Sequence, residues 1–203
     1  MKYLLLDYNG TIIDDVELSL EALNHLVRRY LKRAEVSREE YLRAFTFPVI
    51  DYYRAVGFDF KEHSFEEIGK EWNQYYRSHF SKELLKQDVL AFIKKARERG
   101  HKLVVLSAAN QADLEREMSL LGIDGYFEEL LGADNIYGRS KTERGLAFRA
   151  AHPQASCLLI GDTLHDFLTA QAMGVECVLV EGGHQKLDLV SCRVVKEIGE
   201  IEL

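Results

Sequence analysis

Apolar residues along this chain fall into two patterns. Four short continuous runs, Tyr3 to Leu6, Leu103 to Leu106, Cys157 to Ile160 and Cys177 to Val180, show no alternation with polar residues. Such runs suit strands of a parallel sheet covered on both faces. Helical periodicity instead marks Asp88 to Arg99, Gln111 to Leu121 and Leu164 to Met173, closed by Gly100, Gly122 and Gly174. A glycine just past the last periodic residue supplies the left-handed conformation that ends a helix. Strand and helix in alternation predict an α/β fold with a doubly wound parallel sheet.

The stretch from Val16 to Leu85 breaks this alternation. It holds no convincing strand, and Leu20, Leu23, Val27 and Tyr30 share one helical stripe. Ser37 with Glu40 and Ser64 with Glu67 have the spacing of capping boxes that open two further helices. An all-helical insertion of this size is too large for a crossover. We therefore expect a core domain of residues 1–15 and 86–203 and a small helical cap domain of residues 16–85. Ligands of open α/β sheets bind at the carboxyl ends of the strands, so the cap is expected to cover the site.

Composition narrows the classes of function. The 203 residues are 47% apolar with only two prolines, which leaves no linker-like segment. The formal net charge of -7 works against non-specific nucleic-acid or anionic-membrane partners, whose binding rests on cations meeting phosphates. Cys157, Cys177 and Cys192 have no CxxC spacing and sit in apolar runs, so they read as buried reduced thiols. The apolar run at the N-terminus is too short for a signal peptide, and no stretch of about 20 apolar residues spans a membrane. The expected location is cytoplasmic.

The candidate chemistry lies where strands end. Asp7 closes the first strand ahead of Tyr8-Asn9-Gly10-Thr11, and Ser107 follows the second run directly. Gly161-Asp162-Thr163-Leu164-His165-Asp166 follows the third run and brings two more carboxylates to the same edge. Like charges gathered in a small site call for a cation, and hard oxygen ligands favour Mg²⁺. Lys141, in the loop Gly138-Arg139-Ser140-Lys141, offers a fixed positive charge of the kind phosphoryl transfer uses.

Asp, Ser, Lys and a paired Asp, in this order and at these places, resemble the motifs of the haloacid dehalogenase superfamily. The likeness covers nearly the whole chain, including the helical insertion, which looks like the cap of phosphoglycolate phosphatases. It implies a Rossmann-like core and a phosphatase acting on a small phosphorylated metabolite, with Asp7 as nucleophile. It further implies Mg²⁺ held by Asp7, the main-chain carbonyl of Asn9, Asp162 and Asp166. Thr11, Ser107, Ala108, Lys141 and Asn9 would border the phosphoryl group.

One position departs from the pattern. Phosphatases of this kind place an acid two residues after the nucleophile, and here Asn9 stands there. An amide cannot serve in general acid–base catalysis. The resemblance thus leaves a slow or specialised phosphatase, an enzyme that recruits another acid such as His165 or a cap residue, or a regulatory aspartyl-phosphate protein. A metal-free dehalogenase is disfavoured, because Tyr8 is one residue from Asp7 rather than two and Asp162 and Asp166 are retained. In the insertion, Phe45-Thr46-Phe47-Pro48 sits where relatives carry a substrate loop. Arg43 and Arg54 read as solvated helix positions, and Gly182-Gly183-His184-Gln185 as a turn from which His184 could reach the site.

Overall fold

The computed structural model describes residues 2–134, 140–188 and 190–203. Gly138 and Arg139, in the loop ahead of Lys141, lie outside the described residues. Six strands, β1 (Tyr3–Leu6), β2 (Lys102–Asn110), β3 (Glu129–Ala133), β4 (Cys157–Gly161), β5 (Glu176–Val180) and β6 (Arg193–Val195), form one parallel sheet in the order β3-β2-β1-β4-β5-β6. The four apolar runs are β1, β2, β4 and β5, all interior. β3 and β6 are edge strands whose half-exposed residues give no continuous apolar signal.

Helices α1 (Val16–Leu26), α2 (Arg38–Ala44), α3 (Val49–Val56) and α4 (Phe65–His79) follow β1, and α1 runs on into a π-helical turn over Val27–Leu31. Both capping boxes form. Glu40 N–H donates to Ser37 Oγ while Ser37 N–H donates to the Glu40 carboxylate, and Ser64 and Glu67 repeat the pattern. Such caps satisfy amides that the first helical turn leaves orphaned, each contributing about 1 kcal/mol. These helices share a hydrophobic cluster of their own, built on Leu23, Leu26, Tyr41, Tyr53 and Ile68.

The remaining helices cover the sheet. α5 (Gln87–Glu98) and α6 (Gln111–Leu121) pack with Leu4 and Leu6 of β1, while Leu5 packs on the other face with Phe148 of α7 (Ser140–Ala151) and Met173 of α8 (Leu164–Met173). Burial of successive residues on opposite faces is the physical reason the strand runs carry no alternation. β1 and β4 are neighbours at the point where strand order reverses, so their carboxyl ends open the crevice in which such folds bind ligands. The three cysteines are free, but only Cys157 is buried, with Cys177 and Cys192 half-exposed. Among the described residues, no helix is long and apolar enough to cross a membrane.

Candidate active site

Asp7 leaves the end of β1, and Asp162 and Asp166 follow β4, so sheet topology alone brings three carboxylates together. One ligand oxygen from each lies within 4.8 Å of the others, and Asp162 and Asp166 are fully buried. Lys141, at the start of α7, reaches between them: its Nζ donates to Asp7 Oδ1 and to Asp166 Oδ1, each at 2.5 Å.

The second oxygen of Asp166 caps α8, accepting from Thr163 Oγ1 at 2.6 Å and from the N–H groups of Thr163 and Asp162. The helix start and the carboxylate cluster are therefore one structure. Burial opposes ionisation of Asp166, yet Lys141 and Thr163 outweigh it and hold its carboxyl below the usual range. Burial, with help from Asp166 and Asp162 against Lys141, pushes Asp7 upward. Asp162 is pushed up by burial too, with His184 opposing. A site that raises two acids while enclosing a third is short of positive charge, as expected of residues arranged for a cation.

Asp162 is fixed at both oxygens. Oδ1 accepts from the Thr11 hydroxyl at 3.0 Å, and Oδ2 accepts from the His184 N–H at 2.6 Å. Gly10, with φ of +71°, passes so close that a Cβ there would collide with the Asp162 carboxylate and the His184 ring. Only glycine serves both the left-handed turn and the contact.

Asp7, Asn9, Ser107, Ala108 and Lys141 line a cavity of about 200 Å³. The buried Ser107 hydroxyl accepts from the Ala109 N–H at 3.0 Å. Thr11 lies against Asp162 rather than on the cavity wall. Phe45 and Phe47 line the far side, and their rings reach His184 and His165 at centroid distances of 5.0 Å and 4.3 Å. Arg43 and Arg54 are exposed and pair with Glu39 and Asp51. His165 is turned against Phe47; burial lowers its pKa to about 4, and it is not on the cavity wall.

The sequence reading missed Asp15. Its fully buried carboxylate accepts at Oδ1 from the Gly10 N–H (2.8 Å) and from His184 Nε2 (3.0 Å). Oδ2 accepts from Asn9 Nδ2 (2.8 Å), Tyr76 Oη (2.8 Å) and Ser19 Oγ (3.2 Å). Although burial opposes it, these donors, His184 foremost, lower the Asp15 pKa to about 2. His184, read from sequence as a turn residue, is also buried, with Nδ1 at 2.7 Å from the Tyr41 hydroxyl. Burial disfavours its charge, but Asp15 prevails and raises its pKa.

Over 181 residues the chain is 25% identical to pyrophosphatase PpaX of Bacillus pumilus, covering 85% of this chain and 79% of that protein. Its fold resembles Mycobacterium tuberculosis protein tyrosine kinase A (TM-score 0.79, 19% identity, 97% and 94% of the two chains covered). It also resembles CbbY of Rhodobacter sphaeroides solved with phosphate (TM-score 0.75, 17% identity, 98% and 96% covered). Residues 4–180, which carry every carboxylate of the cluster together with Lys141, match the haloacid dehalogenase-like hydrolase family, and the chain belongs to that family of hydrolases.

Proposed function

We propose that this chain is a Mg²⁺-dependent phosphatase of a small phosphorylated metabolite, working through an aspartyl-phosphate on Asp7. The observation that carries the reading is the buried convergence of Asp7, Asp162 and Asp166, with Lys141 bridging Asp7 and Asp166 and with Asp7 and Lys141 opening onto the cavity. In the same reading, residues 16–85 act as a cap domain that brings substrate-selecting side chains over that cavity. Three free thiols accord with a reducing cytoplasm.

The carboxylates are oxygen donors with a charge excess, which fits a hard divalent cation. Asp7, Asp162 and the Asn9 main-chain carbonyl would hold the ion, with Asp166 beside them. When bound, it would offset charge on the phosphoryl oxygens.

Asp7 supplies the nucleophilic oxygen. As its bond to phosphorus forms, the bond to the leaving oxygen breaks and the electron pair departs with that oxygen. Water then attacks the same phosphorus, releasing phosphate and restoring the Asp7 carboxylate. Lys141 steers the nucleophile through Asp7 Oδ1, and Ser107 with the Ala108 backbone borders the incoming phosphoryl group. Asn9 cannot donate a proton from an acid, and its amide is already committed to Asp15. The reaction therefore favours leaving groups that depart without full protonation.

Phosphate release from a panel of metabolite phosphates, with Mg²⁺ and with chelator, tests this reading. Wild type should release phosphate only with the metal, and Asp7→Asn should not release it at all. Unchanged activity in Asp7→Asn would remove the nucleophile assignment.

A further inference from the structure

The cavity over Asp7 has two unlike ends. On the side of the sheet it is lined by Asp7 and Lys141, whereas the residues that the helical insertion adds are largely aromatic: Phe45, Phe47, Tyr52, Phe65, Trp72 and Tyr76 all line it. Phe45, Phe47 and Trp72 are only half-buried, so part of each ring faces the open space. Trp72 stacks on Tyr76 at 4.8 Å with 19° between the planes, making a flat apolar surface.

Charge on the wall is already spent. The cations lining the cavity among the described residues are Arg77, Lys141 and His184. Arg77 meets Asp113 at 2.6 Å, Lys141 bridges Asp7 and Asp166, and His184 faces Asp15 at 3.0 Å. Asp113, which holds Arg77 and Arg116, and Glu117, which meets Arg116, also line the cavity. Beyond the phosphoryl group, a second phosphate or a carboxylate would meet rings, the neutral amides of Asn73 and Asn110 and cations already paired with carboxylates, whereas a neutral ring would meet rings.

Resting on the phosphatase reading above, we propose that the substrate is a monocyclic aryl phosphate, held with its phosphoryl group at Asp7 and its ring against the Phe45, Phe47 and Trp72 wall. The volume of about 200 Å³ suits one ring, since apolar cavities near 150 Å³ admit benzene. The leaving group suits Asn9 as well. A phenol ionises near pH 10, so an aryloxide departs without the acid that an alkoxide needs. In balance, Asp7 takes the phosphoryl group as the aryloxide leaves with its electron pair, and water returns Asp7 and gives dihydrogen phosphate. The aryloxide takes a proton from that phosphate, for a net reaction of aryl phosphate and water to phenol and hydrogen phosphate.

Aryl phosphates are intrinsically reactive, so the test reads binding of inert analogues. Trp72 is the sole tryptophan and lies on the wall, which makes its fluorescence the reporter. With Mg²⁺ present, benzylphosphonate should quench Trp72 and bind about tenfold tighter than propylphosphonate or pyrophosphate. Phe47→Ala should remove most of that preference, and Phe45→Leu gives a milder second probe. Equal affinity for propylphosphonate or pyrophosphate, or an unaltered Trp72 signal, would overturn the aryl assignment. Parallel phosphate-release assays separate the two claims. Similar kcat/KM on alkyl phosphates or pyrophosphate overturns the aryl class and keeps the phosphatase. Tight benzylphosphonate binding with no phosphate release from any substrate keeps the ring pocket and overturns the phosphatase.

Discussion

The Asn9 amide donates to the Asp15 carboxylate at 2.8 Å, which places the residue two after the nucleophile in contact with a fully buried anion. An amide is neutral and donates there, whereas a carboxylate in its place would face a like charge at hydrogen-bond distance.

Asn9→Asp would therefore hold a proton between two carboxylates, and sharing of that kind raises one pKa strongly. The variant gains the acid that wild type lacks. Turnover of alkyl phosphates should rise, by up to about 10²-fold, and fall again on the alkaline side as the shared proton is lost. Steady-state rates across pH check this, and equal or lower turnover at every pH contradicts it.

Asp15 and His184 form a buried charge pair whose effect on stability has a defined window. The Asp15 pKa falls from 3.8 to about 2, so its contribution is present above 3.8 and is lost as pH drops toward 2. That of His184 is raised above 6.5, so its contribution is complete below 6.5 and fades as pH rises through the raised value. Asp15→Asn should then cost about 3 kcal/mol, most of all between pH 4 and 6.5. Thermal unfolding of both proteins over pH 3 to 9 measures the window; a pH-independent deficit speaks against the pair.

Glu117 acts with the opposite sign. Burial, opposed by Arg116 and aided by Asp113, pushes its pKa from 4.5 to about 7. The folded state binds the extra proton between these values, so stability should decline as pH rises from 4.5 to 7. Glu117→Gln should flatten that decline, the difference reaching at most ~3 kcal/mol above pH 7. Parallel curves for the two proteins would refute it.

Mg²⁺ should raise the unfolding temperature of wild type, since a ligand at 100 times its Kd stabilises by about 2.7 kcal/mol. Asp162→Asn should lose most of this shift while keeping the fold through Thr11 and His184. Calorimetry with and without Mg²⁺ reads it directly, and an equal shift in both proteins would place the ion elsewhere.

Asp7, Ser107, Asp162 and Asp166 were legible in the sequence because each follows an apolar strand run, and strand ends converge in a parallel sheet. Asp15 was not. It stands just before α1, where an Asp reads as a helix cap, yet its side chain makes no cap bond and serves partners 61 and 169 residues away. For His184 the sequence showed a turn within reach of the site, and Gly-Gly-His-Gln does form a bend, but nothing local reveals the buried ring beside Asp15 and Tyr41. The helical insertion was readable as helices from its stripe and capping boxes. Its aromatic lining was not, because three-dimensional packing decides which rings turn inward.

Tyr41 and Tyr76 belong to the helical insertion, but their hydroxyls end on His184 and Asp15 beside the nucleophile. An excursion of α2 and α4 wide enough to exchange product with solvent has to release both contacts together. Acidity and access thus share one latch. The Asp15–His184 pair therefore keeps its full set of partners only while the insertion is closed over the nucleophile.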